Sequence, residues 1–285
     1  MFTTLISAQE LARQIDQAHV VILDCRHDLM DPTAGQNAYE TGHLPGAHFV
    51  HLDRQMSGPK TSPNATFLGR HPLPDQDEFI RRLRELGVSH TSQVVTYDAH
   101  GGMYAARLWW MLRWVGHNAV AVLDGGLSAW IECGFTLDSK LPKVALGSLE
   151  IRPSLVKKVA VEDVLANLSS QTYALIDARA ADRYRGENET MDPVGGHIPG
   201  AKNRFFKDNL QVDGRFKSAE HLHQEWSSII SDAKLSVMQC GSGVTACHNL
   251  LALEVAGLPG AALYPGSWSE WCANTDRPIV TGAES

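Results

Sequence analysis

One of the five cysteines in this 285-residue chain (Cys25, Cys133, Cys240, Cys247 and Cys272) stands in a setting suited to chemistry. The run Gln239-Cys240-Gly241-Ser242-Gly243-Val244-Thr245-Ala246 follows a short apolar stretch, 235–238, and leads into a helical pattern over 244–256. A turn that opens a helix presents unpaired backbone N–H groups. These groups and the positive end of the helix dipole stabilise an anion, so the position suits a nucleophilic thiolate. Gly241 and Gly243 let the backbone curl around the sulfur, and Ser242 and Thr245 add hydroxyl donors. The competing reading is a buried core thiol, common for cysteine, but a core thiol has no use for a glycine-spaced loop. There is no C-x-x-C pair and no zinc-type spacing. An odd cysteine count in a chain without a secretory signal argues against a disulfide framework. Cys247 fits either a core position or a resolving thiol.

The elements that must hold this loop are written twice. Leu23-Asp24-Cys25-Arg26 answers Ile176-Asp177-Ala178-Arg179, and Gly42-His43-Leu44-Pro45-Gly46-Ala47 answers Gly196-His197-Ile198-Pro199-Gly200-Ala201. Asp124-Gly125-Gly126 through Trp130 answers Pro265-Gly266-Ser267 through Trp271. A period of about half the chain marks a duplicated domain. Each half alternates strand and helix signals. In the first, Ser7-x-x-Glu10 is a capping box; 20–23, 94–97 and 119–123 read as strands, and 79–86 and 105–115 as helices. In the second, 161–168 and 222–229 read as helices, with 244–256; 174–176, 235–238 and 261–263 read as strands. The pattern predicts an α/β protein of two tandem domains, each a parallel sheet flanked by helices. The first domain is expected over 1–138, a proline-bearing linker over 139–156, and the second domain over 157–285.

Bulk properties exclude several classes. The formal net charge of −7 is shared: residues 1–140 hold 11 basic and 15 acidic side chains, the remainder 14 and 17. Neither half is a basic footprint for nucleic acid. The opening MFTTLISAQELARQID lacks the features of a signal peptide, and no stretch reaches the roughly 20 apolar residues of a membrane span. A cytoplasmic protein is expected, without membrane or nucleic-acid partners. The clustered His43, His48 and His51 follow no metal-ligand spacing, and both halves carry the histidine of the Gly-His-x-Pro-Gly-Ala turn, which points to a structural role.

Cys240-Gly241-Ser242-Gly243-Val244-Thr245 resembles the active-site loop of the 3-mercaptopyruvate sulfurtransferases, within the rhodanese superfamily. The paired Asp-x-Arg, Gly-His-x-Pro-Gly-Ala and closing Gly-x-x-x-x-Trp segments extend the resemblance over nearly the whole chain. It implies that Cys240 carries sulfur as a persulfide and that Gly241, Ser242, Gly243, Val244 and Thr245 cradle it. It implies also that Arg183 binds the anionic end of the donor, a task suited to its planar fork. Asp98 stands where the first half lacks the cysteine, as is common in two-domain members; it reads as a retired site, with an acid/base role as the alternative. The implied reaction is a ping-pong transfer from 3-mercaptopyruvate or thiosulfate to a thiol, with a thioredoxin-like protein as one candidate acceptor, or to cyanide. It needs no cofactor and no metal, and a monomer is expected.

The absence of a basic residue between Cys240 and Ala246 favours the monoanionic mercaptopyruvate. Against it, the second arginine that such enzymes carry before the Gly-His-Ile-Pro-Gly turn is missing; Glu187, Glu189 and Asp192 stand there, and Arg185 is the nearest substitute. His71 is a candidate to reach the neighbourhood of the site; Trp268, like Trp109, Trp110 and Trp271, reads as packing, although it lies close enough in sequence to line the pocket. A phosphatase would need arginine six residues after the cysteine, where Ala246 stands. A non-enzymatic persulfide carrier or redox module that docks a partner protein would use the same Cys240.

Overall fold

A computed structural model describes residues 1–143 and 145–283, so position 144 of the expected linker and the last two residues of the second domain lie outside it. The chain divides into two compact units, each described by itself below.

The first unit comprises 1–57, 74–155 and 210–216. Its elements are β1 (Leu5–Ile6), α1 (Ala8–Ala12), β2 (Val20–Asp24), α2 (Ala34–Thr41), β3 (His48–Phe49), α3 (Leu52–Gln55), α4 (Gln76–Glu85), β4 (Gln93–Tyr97), α5 (Ala105–Trp114), β5 (Val120–Leu123) and α6 (Gly126–Glu132). The strands form a wholly parallel sheet in the order β1-β5-β4-β2-β3. Ser7 caps α1 with its hydroxyl on the Glu10 N–H, and Glu10 answers on the Ser7 N–H, the capping box expected from the sequence. β4 is buried along its whole length, as a central parallel strand must be. One face of the sheet packs Ile22, Val95, Tyr97, Ala121 and Leu123 around Leu11 and Trp130. α5 is buried all round, which its apolar composition allows.

The second unit comprises 58–73, 156–209 and 217–285. It contains β6 (Lys157–Lys158), α7 (Val161–Ser170), β7 (Ala174–Asp177), α8 (Ala181–Arg185), β8 (Lys202–Asn203), α9 (Ala219–Ser227), β9 (Ser236–Gln239), α10 (Ala246–Val255), β10 (Ala262–Leu263) and α11 (Ser267–Trp271). Its parallel sheet has the order β6-β10-β9-β7-β8, the same topology as the first. The core gathers Val161, Leu175, Val237, Tyr184, Trp268 and Trp271.

Two features go beyond the pattern reading. The stretch read as a linker is fastened to the first unit: Gly147 N–H donates to Arg84 O at 2.8 Å and Arg152 N–H to Val115 O at 3.0 Å, and Leu149 is buried. Segments 58–73 and 210–216 each belong to the unit opposite in sequence. The first carries an antiparallel bridge, Thr61 with Phe67, and is fixed in the second unit where Arg70 N–H donates to Ser269 Oγ at 3.1 Å. No helix among the described residues is long and apolar enough to cross a membrane.

Candidate active site

β9 ends at Gln239, and Cys240 is the first residue past its carboxyl end, where open α/β sheets bind ligands. Register sets its neighbours. β7 lies beside β9 with Asp177 opposite Gln239, and Ala178 N–H donates to Gln239 O at 2.8 Å, so Arg179 emerges next to the cysteine. Cys240 is 2% exposed. Its N–H donates to Ser267 Oγ at 3.1 Å, and its carbonyl accepts the Trp268 N–H at 2.9 Å. The Gly241 carbonyl accepts the Ser269 N–H at 2.9 Å. Ser267 holds φ +54°, a left-handed conformation uncommon outside glycine, and its hydroxyl donates to Tyr264 O at 2.9 Å. Gly243, at φ +76°, admits no side chain: a Cβ would stand 2.3 Å from Pro265 O. Cys247 is buried in the first turn of α10, its thiol directed at Gly243 O at 3.4 Å. Among the described residues, the amides of Gly241, Ser242, Val244 and Thr245 donate to no protein acceptor.

Two guanidinium groups converge on this loop. A Cβ added to Gly241 would lie 2.8 Å from Arg70 Nη2 and 3.5 Å from Arg183 Nη2. Arg183, the donor-binding candidate that the resemblance implies, comes from α8. Arg70 was not foreseen: it comes from the 58–73 segment, more than a hundred residues earlier. Arg185 does not substitute for the missing second arginine. It points elsewhere, with Nη2 2.7 Å from Glu187 on the surface. The next residue in the same segment, His71, places Nδ1 2.8 Å from Ser242 Oγ, and both are buried.

Three carboxylates face the arginines. Arg179 forms a fork with Asp177 at 2.7 to 3.1 Å and reaches Glu189 at 3.4 Å. Burial works against its charge, but Asp177, then Glu189 and the Cys240 sulfur, outweigh that and raise its pKa. Arg183 holds Glu189 through Nη2 at 2.8 Å and Nε at 3.1 Å. Burial would raise the Glu189 pKa; Arg183 and the N–H groups of Met191 and Asp192 overcome it and bring it down. Asp192 pairs with Arg70 and lies 3.6 Å from Arg183, yet burial dominates and its pKa is raised. Burial, with Asp192 next in weight, pushes the Cys272 thiol up to about 11. Trp268 sits beneath Arg179, whose guanidinium carbon is 4.7 Å from the ring centre, so its role is to pack.

The profile of the rhodanese-like domain matches residues 7–133 and again 160–274. The chain belongs to the rhodanese family. It is 44% identical over 281 residues, 98% of each chain, to a probable 3-mercaptopyruvate sulfurtransferase of Pseudomonas aeruginosa. It is 36% identical to the thiosulfate sulfurtransferase of Mus musculus, covering 95% of this chain and 92% of that one. Among solved structures, SseA of Escherichia coli, described under 3-mercaptopyruvate sulfotransferases, superposes with a TM-score of 0.79 at 32% identity, over 94% of this chain and 100% of that one.

The two rhodanese domains keep one frame, and the loop at the end of the central strand differs between them. His43 and His197 each stack on a tyrosine of the preceding helix, Tyr39 at 4.0 Å and Tyr184 at 3.8 Å, and bond its carbonyl. That is the structural role expected of both. Arg26 forks onto Asp24 and reaches Gly42 O as Arg179 does onto Asp177 and Gly196 O, each at 2.7 Å to the carbonyl. The difference is at Asp98. Its carboxylate accepts the N–H groups of His100, Gly102, Tyr104 and Ala105 at 2.7 to 3.0 Å and is fully buried. The first domain thus fills its ring of amides with its own carboxylate; the repeat puts Cys240 in the matching place. His27, His51 and Asp53 bring ligand atoms within 4.8 Å of one another. His51 has no lone pair to offer a metal there: Nδ1 accepts the Asp53 N–H at 3.1 Å, which makes Nε2 the protonated nitrogen, 3.1 Å from Pro32 O.

Proposed function

We propose that the protein is a sulfurtransferase that takes sulfur from 3-mercaptopyruvate and passes it, through a persulfide on Cys240, to a thiol or to cyanide. The observation that carries this reading is the Cys240 loop itself: unsatisfied amides around a strand-end cysteine, beneath two guanidinium groups, where the sister domain holds an anion with four amides.

In the first half-step the Cys240 thiolate attacks the donor sulfur. The new S–S bond takes its electrons from the thiolate, and the C–S bond of mercaptopyruvate breaks toward carbon, leaving the pyruvate enolate. The proton released by the donor thiol is taken up at that carbon, giving pyruvate and the Cys240 persulfide anion. Arg183 and Arg70 hold the donor carboxylate, and the amides of Gly241, Ser242, Val244 and Thr245 hold the outer sulfur. The Ser242 hydroxyl, bonded to His71, passes the proton on. In the second half-step an acceptor thiolate attacks the outer sulfur and releases Cys240. No cofactor or metal enters either step. A cytoplasmic setting suits the chemistry, since thiols stay reduced there, and a thioredoxin-like protein suits the acceptor role.

The same Cys240 could serve a carrier that loads once and waits for a partner. Steady-state turnover separates the two. Continuous pyruvate release with cyanide or a small thiol as acceptor is expected; a single stoichiometric burst that stalls would refute the enzymatic reading.

A further inference from the structure

We infer that Asp192 determines donor selectivity by cancelling one of the two positive charges that face the donor. The inference rests on the sulfurtransferase reading above. The carboxylates lie deeper than the arginines they meet: side-chain exposure is 2% for Asp192 and 4% for Glu189, against 18% for Arg70 and 24% for Arg183. Glu189 is stitched into its own turn, accepting the Met191 and Asp192 N–H groups at 2.8 and 3.1 Å besides its fork with Arg183. Asp192 is not so provided. One oxygen meets Arg70, while Oδ2 is buried with no hydrogen bond and only the longer ion pair to Arg183 Nη2 at 3.6 Å. A buried carboxylate oxygen left without a hydrogen bond costs stability, and an apolar side chain would fill the space without that cost. What such a replacement would lose is the charge.

The charge sets what the pocket accepts. Arg70 and Arg183 are offset by Glu189 and Asp192, so these four sum to zero, and the Cys240 thiolate then makes the reacting site net negative. The Coulomb energy scales with the charge of the incoming donor. A thiosulfate dianion therefore feels the Asp192 charge twice as strongly as the mercaptopyruvate monoanion does. Removing that charge helps both donors, and it helps thiosulfate by the square of the factor gained by mercaptopyruvate.

The test compares kcat/KM for 3-mercaptopyruvate and thiosulfate, with cyanide as common acceptor, in the wild type, D192N and D192E. D192N is expected to raise the thiosulfate-to-mercaptopyruvate ratio at least tenfold, about 1.4 kcal/mol, and D192E to keep it near the wild-type value. An unchanged ratio in D192N, with both donors slowed alike, would mean that Asp192 only positions Arg70, and would overturn the inference while leaving sulfur transfer intact. Turnover of neither donor by the wild type would instead overturn the reading beneath it. D192S removes the same charge and serves if D192N does not fold.

Discussion

His71 Nδ1 and Ser242 Oγ form a buried 2.8 Å hydrogen bond between residues 171 apart in sequence. The bond fixes a hydroxyl on the loop that begins at Cys240. H71A and S242A are each expected to lower kcat/KM for sulfur transfer by about 10- to 100-fold, at or below the lower end of what positioned proton-transfer groups contribute. The double variant should be no worse than the poorer single one, because both remove the same bond. Additive losses in a double-mutant cycle would show that the two side chains act separately.

The glycines of the loop differ in kind. Gly243 has positive φ and a carbonyl oxygen 2.3 Å from any added Cβ, so G243A should destabilise the fold by several kcal/mol. Gly241 meets only arginine tips, 2.8 Å from Arg70 Nη2. G241A should fold near-normally and raise the donor KM about tenfold by displacing the guanidinium groups. Urea denaturation and steady-state kinetics on both variants check the contrast; a poorly folded G241A with a normal KM would contradict it.

R183A and R70A should each raise the donor KM by about tenfold or more, since each removes a charge-assisted contact. R185A should leave KM unchanged, because Arg185 pairs with Glu187 at the surface. Kinetics that ranked R185A with the other two would refute this placement.

Cys272 gives a pH prediction. Its pKa is raised from 9.0 to about 11, first by burial and then by the Asp192 charge. A thiol with a raised folded-state pKa contributes stability that is complete below its unfolded value and is lost as pH climbs through the folded one. Stability should therefore fall between about pH 9 and pH 11, by a few kcal/mol on the scale of about 1.4 kcal/mol per unit. C272A should show a shallower decline over that window; equal slopes in urea midpoints would remove Cys272 as a cause.

The sequence carried the parts of this architecture that repeat or that obey a local rule. The Ser7–Glu10 box, the central strands expected at 20–23 and 94–97 and found at 20–24 and 93–97, the helix expected at 105–115 and the Cys240 loop are all legible from spacing and composition. Edge strands such as Lys157–Lys158 and Lys202–Asn203 are two residues long and carry no periodicity to read. Arg70 was missed for a different reason. It lies in a proline- and glycine-rich stretch of the first half, and only tertiary folding of 58–73 into the second unit brings it to Gly241. His71 was suspected, but no local rule could pair it with Ser242. Glu189 and Asp192 were read as replacing a needed arginine, whereas they hold the two that are present.

The most direct test of the account is the intact mass of the reduced protein after brief exposure to 3-mercaptopyruvate, with peptide mapping of any gain. The account predicts the addition of one sulfur atom, mapped to Cys240, removed by cyanide and absent in C240S. Sulfur on another cysteine, or no gain on a Cys240 shown to be reduced, would contradict it.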